Sequence, residues 1–162
     1  MAKFSHIDDR GRAKMVDVTK KVDTHREATA SGCVLMKQAT AQMISDGAVA
    51  KGDVINTATI AGIMAAKRVE QLIPLCHPLQ ITKVDIDISV DAKAGMVKIT
   101  ATVSSVGKTG VEMEALSAVS VAGLTIYDMC KAADNDMVIS DVKLLAKKGG
   151  KSSVYRRKEA KK

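Results

Sequence analysis

Between Ala115 and Tyr127 the chain runs thirteen consecutive residues without a charge, and six of them (Ala115, Ser117, Ala118, Ser120, Ala122, Gly123) are small. As a helix this stretch is apolar on nearly every side, so it must be covered on nearly every side. Its small residues permit backbones to approach closely. Gly107 and Gly110 predict a turn before it, and the Thr109–Glu112 spacing predicts a capping box at its start. Charge returns only at the ends, with Glu114 before the run and Asp128 and Lys131 after it. Asp128 and Lys131 are i,i+3 neighbours on one helix surface. Charged groups beside so apolar an element are expected to be paired or in use. An ordinary surface pair is the plain alternative; the functional one is an acid–base pair whose setting can lower a lysine pKa.

A second uncharged run of the same length, Val54–Ala66, follows Asp53, a suitable N-cap, and predicts a helix reaching about Leu72. Both runs fall short of the roughly 20 residues that cross a bilayer. Pro74 and Pro78 both lie in LIPLCHPL and make a rigid, non-helical link after this helix. Strict alternation then appears. Val84, Ile86, Ile88 and Val90 alternate with Asp85, Asp87, Ser89 and Asp91, and Val97–Ser104 repeats the pattern after a turn at Ala92–Gly95. This is a hairpin with one wet face. A strand over Arg26–Met36, a short helix over Gln38–Asp46 ended by Gly47, and a last strand over Met137–Ala146 complete the order βαββαβ. The expected fold class is α+β: a ferredoxin-like antiparallel sheet with helices on one face, an N-terminal arm and an extra helix. Two helices apolar all round exceed what one sheet face covers, which predicts a homo-oligomer with helix-lined interfaces.

The net charge of +7 suggests nucleic acid until it is located. Residues 143–162 hold nine Lys/Arg and one acid, Glu159, so residues 1–142 carry a net −1. With a near-neutral body and only three aromatic residues, a nucleic-acid module is disfavoured. One domain is expected over residues 1–153, and 154–162 reads as a basic, disordered tail. The opening MAKFSHIDDRGR has no apolar run of the signal-peptide kind, and three scattered cysteines make no disulfide framework. A cytoplasmic protein is expected.

Several constellations have a plain and a functional reading. GKTG at Gly107–Gly110 lacks the earlier glycine of a P-loop, since Thr102 stands there, so a turn and helix cap is preferred. Cys76-His77 does not have the spacing of a zinc site, and no metal is expected. His77 is either a hydrogen-bonded structural histidine or, in its proline frame, an imidazole held for proton transfer or for recognition of a purine-like ring. Lys51 precedes a helix start and is either an exposed loop cation or part of an anion site. Fourteen residues separate Glu114 from Asp128, about 21 Å along a helix, so a site using both would span a subunit boundary.

LIPLCHPL, KTGVEMEALSAVSVAGLTIYDMCKA, KGDV with IAGIMAAK, MVDV and LLAKKGGKS together resemble the molybdenum cofactor biosynthesis protein C family, across residues 6–152. The resemblance implies a ferredoxin-like hexamer, a trimer of dimers, that acts after a radical SAM enzyme has cyclised GTP. It implies conversion of the cyclised dihydro-GTP to cyclic pyranopterin monophosphate with release of pyrophosphate. By the same resemblance Asp128 and Lys131 match the catalytic pair. Leu75, Cys76, His77, Met113 and Glu114 match substrate contacts, and Lys51, Arg26, Glu112, Lys147 and Lys151 match further polar site positions. No resident cofactor is implied; magnesium could accompany the triphosphate, although no residue indicates it. Lys148 and Ser153 depart from the family's usual K-S-G-G-K-S-G. A non-catalytic pterin- or nucleotide-binding scaffold for the radical SAM partner is the alternative.

Overall fold

The structure, a computed structural model, describes residues 6–8, 10–150 and 154–158. Its strands are β1 (Thr24–Leu35), β2 (Ile81–Asp91), β3 (Met96–Gly107), β4 (Val138–Lys148) and β5 (Tyr155–Arg156). Its helices are α1 (Gln38–Ser45), α2 (Val54–Ala66), α3 (Val69–Leu72) and α4 (Glu112–Cys130). The sheet order is β2-β3-β1-β4-β5, and every neighbouring pair is antiparallel. The first four strands and the helices α2 and α4 give the expected ferredoxin-like α+β arrangement.

The alternating sequences become alternating faces. In β3, Val97, Ile99, Ala101 and Val103 are all buried, as are Ala28, Ala30 and Val34 of β1. They meet α4, which lies across β1, β3 and β4, while α2 packs beside it over β2. Ala115, Ala118, Val119, Ala122 and Ile126 of α4 are fully covered. Each large aliphatic side chain so buried contributes about 1.5–3 kcal/mol. The opposite sheet face is polar, with the Thr29 and Thr102 hydroxyls hydrogen-bonded at 3.0 Å. Asp85, Asp87 and Asp91 keep edge strand β2 charged on its exposed side, which discourages further pairing.

Three boundaries differ from expectation. The helix predicted to reach Leu72 breaks at Lys67–Arg68, where Arg68 (φ −121, ψ 15) leaves helical geometry, and the following turn buries Val69. The capping box does not form. The helix starts two residues later than the box requires, so its N-cap is Val111, which has no polar side chain to cap with, and the Glu112 carboxylate is held by Lys147. The tail also departs from disorder in part. Tyr155 and Arg156 pair with Lys147 and Ala146, and Arg157 donates its amide to the Leu145 carbonyl at 2.7 Å.

Gly62 sets the spacing of the two main helices. A Cβ there would lie 2.9 Å from the Ala118 carbonyl oxygen and would also collide with Ile86. Backbone cannot yield as a flexible side chain can, so Gly62→Val should force α2 off α4. We expect a loss of about 2 kcal/mol or more in chemical denaturation; an unchanged unfolding midpoint would refute this view of the helix contact.

Candidate active site

The charged residues at the two ends of α4 sit in different surroundings. At its C-terminal end, Asp128 Oδ1 accepts from Lys131 Nζ at 2.7 Å, and Oδ2 accepts from Lys51 Nζ at 3.0 Å. Lys51 Nζ also donates to the Asp128 carbonyl oxygen at 2.8 Å. Lys51 comes from the loop after α1, so one carboxylate joins two elements distant in sequence. The Lys131 and Lys51 amines hold the Asp128 carboxyl below its usual range, and Asp128 raises Lys131. The lowered lysine pKa that the helix setting allowed is therefore corrected: Lys131 is exposed, close to a carboxylate and stabilised as ammonium. These three side chains are about half exposed.

At the N-terminal end a cavity of about 490 Å³ opens between the first turn of α4, the proline-framed link and the arm. Leu75, Cys76 and His77 line one side, and Glu112, Met113 and Glu114 another; His6, Val16, Val18 and Lys21 come from the arm. His77 Nε2 lies 2.7 Å from the Val16 carbonyl oxygen, which ties the imidazole to the arm. Glu114 is only 4% exposed, and burial pushes its carboxyl up to about 7. Burial, then the Glu114 charge, raises the Cys76 thiol. At Cys76 the raised pKa favours the neutral thiol over the nucleophilic thiolate.

A polar cavity of about 190 Å³ shares Lys21, Thr109, Gly110 and Glu112 with the first and adds Arg26, Glu27, Lys147, Lys148 and Gly149. Arg26 donates to the carbonyls of Gly107 (3.2 Å) and Lys108 (3.1 Å), so it, rather than Thr109, fastens the turn before α4. Lys147 Nζ meets Glu112 Oε1 at 2.7 Å. Lys148, the residue that departs from the family pattern, is paired with Glu27 at 2.9 Å. Gly149 and Gly150 have positive φ and press against His25 and Arg26, where any Cβ would collide with the His25 carbonyl and the Arg26 guanidinium. Lys151 lies outside the described residues.

The sequence-derived site therefore gathers into two groups. Arg26, Leu75, Cys76, His77, Glu112, Met113, Glu114 and Lys147 surround adjoining cavities, while Lys51, Asp128 and Lys131 stand at the far end of the same helix. Among the described residues no cluster of His, Cys, Asp and Glu has a metal-binding arrangement. Nor is any helix there long and apolar enough to cross a membrane. Sequence reasoning missed Lys21 and His6, whose arm has no periodic signal. It also missed Asp134, whose burial at 2% depends on a contact 97 residues away.

The model of the MoaC family matches residues 15–150. A cyclic pyranopterin monophosphate synthase of Heliobacterium modesticaldum is 57% identical over 159 residues, covering 98% of this chain and 100% of the relative. The synthase of Thermoanaerobacter pseudethanolicus is 54% identical, covering 95% and 98%. Cyclic pyranopterin monophosphate synthase 1 of Mycobacterium bovis is 60% identical, covering 95% and 90%. Matched along nearly its whole length, this chain belongs to the MoaC family.

Proposed function

We infer that the chain is a cyclic pyranopterin monophosphate synthase of molybdenum cofactor biosynthesis. The observation that carries this reading is the near end-to-end similarity to proteins named for that activity. The same similarity disfavours a non-catalytic scaffold. The substrate would be (8S)-3′,8-cyclo-7,8-dihydroguanosine 5′-triphosphate. Opening its imidazole-derived ring and closing the pterin require repeated proton transfers. An internal hydroxyl must then attack the α-phosphorus as pyrophosphate departs.

The residues suit those tasks. Asp128 and Lys131, with Lys51, supply an acid–base set whose members are fixed by mutual hydrogen bonds. Glu114 supplies a carboxyl that can hold or release a proton near neutrality beside His77. Leu75, Cys76 and Met113 furnish apolar walls for a flat ring. Arg26 and Lys147, with Lys21 beside them, offer cations for the triphosphate. Lys151 is assigned to the same group by its place in the sequence. No resident cofactor enters these steps; a magnesium ion could arrive with the triphosphate.

The two groups of residues are about 21 Å apart along α4, as judged from the rise of a helix. One small substrate cannot reach both on one chain, so the complete site is proposed to need a neighbouring copy. Ile60 and Met64 on α2 and Leu124 on α4 are 59%, 44% and 57% exposed, which leaves apolar helix surface for that contact. A hexamer built as a trimer of dimers fits this requirement. Transient contact with the radical SAM cyclase is a further part of the proposal.

Purified protein supplied with the cyclised nucleotide should release pyrophosphate and form the pterin product. Asp128→Ala and Lys131→Ala should lower turnover by about 100-fold or more while the circular dichroism spectrum and assembly are kept. Near-normal rates in either variant would overturn its assignment. Light scattering should report an oligomer; a stable monomer would remove the shared-site argument.

Glu114 makes a separate prediction through linkage. Its folded pKa is raised, so between the ordinary value of 4.5 and about 7 the native state holds the proton that the unfolded chain releases. Stability should therefore fall as pH rises through that interval, by at most roughly 3 kcal/mol from this group. Denaturation midpoints across that range should show the slope, and Glu114→Gln should flatten it. An identical slope in the variant would assign the effect to another group.

A further inference from the structure

We propose that Asp134 is a positioning residue for the Lys51–Asp128–Lys131 set, acting as a clasp that holds α1 and the loop after it against the end of α4. The inference rests on the assignment of that set to the active site.

The argument begins with how poorly α1 is held by its own sequence. It has eight residues, its N-cap Lys37 makes no side-chain cap, and its first turn contains no acid. An isolated helix this short is unstable. The missing carboxylate comes from a distant part of the chain. Asp134 Oδ2 accepts the Lys37 amide at 2.8 Å and the Thr40 hydroxyl at 3.3 Å. Its other oxygen accepts the Asp136 amide at 3.2 Å and lies 3.3 Å from Lys37 Nζ. The side chain is 1% exposed, and its own amide is tied to the Cys130 carbonyl at 3.1 Å. A buried carboxylate with four partners fixes the atoms around it, and removing it leaves those donors unpaired.

What it fixes leads directly to the site. Residues of α1 and its following loop (Thr40, Met43, Val49) face Met129, Cys130 and Ala133 across an apolar cavity of about 200 Å³. Ala41 and Ile44 bury the inner face of α1 in the core, and the cavity leaves a gap in the apolar contact between these two walls. Two polar contacts bridge them. Asp134 grips the start of α1, and Lys51, at the end of the loop after α1, grips Asp128. Without the first, α1 loses the polar anchor at its start, and the loop after it, which carries Lys51, loses part of what fixes the amine beside the carboxylate. Misplacement of about 1 Å at a reacting group costs on the order of 100-fold in rate.

The test compares Asp134→Ala with Asp134→Asn at a temperature where circular dichroism shows both folded. Asn retains one carbonyl acceptor for the Lys37 amide and the Thr40 hydroxyl. Turnover of the cyclised nucleotide should drop by about 10- to 100-fold in the Ala variant and stay within about threefold of wild type in the Asn variant. Amine acylation followed by mass spectrometry supplies a readout that general loosening would not reproduce. Lys51 should label several-fold faster in Asp134→Ala, while the exposed Lys67 should label at an unchanged rate. Full turnover in the Ala variant, equal acceleration at both lysines, or an Asn variant as damaged as the Ala variant would each overturn the proposal. If Asp134→Ala does not fold, Thr40→Val takes its place and must raise Lys51 labelling without raising that of Lys67. Lys51→Ala serves as the control for the site itself. Its retention of turnover would remove Lys51 from the reaction, a failure that the labelling result keeps separate from failure of the clasp.

Discussion

The close approach of α4 to α2 and the sheet is the constraint on which the other features depend. It requires a helix surface with almost nothing projecting from it, supplied by Ala118, Ala122 and Gly123 on α4 and by Gly62 on α2. A surface so thin has little room for adjustment, because packed interiors resist even small changes in volume. The same constraint pushes every charged residue to the helix ends. Glu112, Glu114, Asp128 and Lys131 occur where they do because thirteen positions between Ala115 and Tyr127 are closed to charge. A rigid core element thereby holds two groups of charged side chains at fixed separation.

The two ends then acquire different chemistry from their surroundings. Glu114 and Asp128 project to similar sides of one helix, yet burial pushes the first up to about 7 and neighbouring amines lower the second. The difference lies in what covers them. The proline-framed link closes over the first turn and removes water from Glu114, whereas two ammonium groups face Asp128 in partial exposure. Desolvation favours the neutral acid, and paired cations favour the anion. One helix thus presents one carboxyl that favours the proton and one that favours the anion, without any special residue type.

Much of this was legible in the sequence where a pattern is periodic or local. The alternation in β2 and β3, the Asp53 cap and the uncharged helices gave the element order and the fold class. The Asp53 carboxylate does accept the Asn56 amide at 2.9 Å. Local patterns misled where a distant partner competed for the same group. Thr109 and Glu112 have capping-box spacing, but Lys147, 35 residues on, takes the carboxylate instead. Lys131, for which the sequence left open either a plain surface pair or a lowered pKa, is stabilised as a cation by the very acid that drew attention to it. Asp134 carried no signal at all, since an acid in a polar loop looks solvated until its burial is known. Spacing reports what neighbours along the chain can do, and burial decides which of those options is taken.

The basic C-terminal region follows the same logic of distant competition. Its excess charge suggested a free cationic tail, yet several of its described cations have particular acceptors. Lys147 faces Glu112, Lys148 faces Glu27, and Arg157 Nε donates to the Leu144 carbonyl at 2.8 Å. Each contact fastens the end of β4 to the polar cavity or to its own edge strand. Exposed ion pairs of this kind contribute little stability, on the order of 0–1 kcal/mol each. Their effect is geometric. They hold cations beside the cavity while leaving them partly exposed, and an exposed pair is cheap to exchange for a stronger anion. On the proposed assignment, a triphosphate in that cavity would meet lysines already in place and need only displace the carboxylates that hold them there.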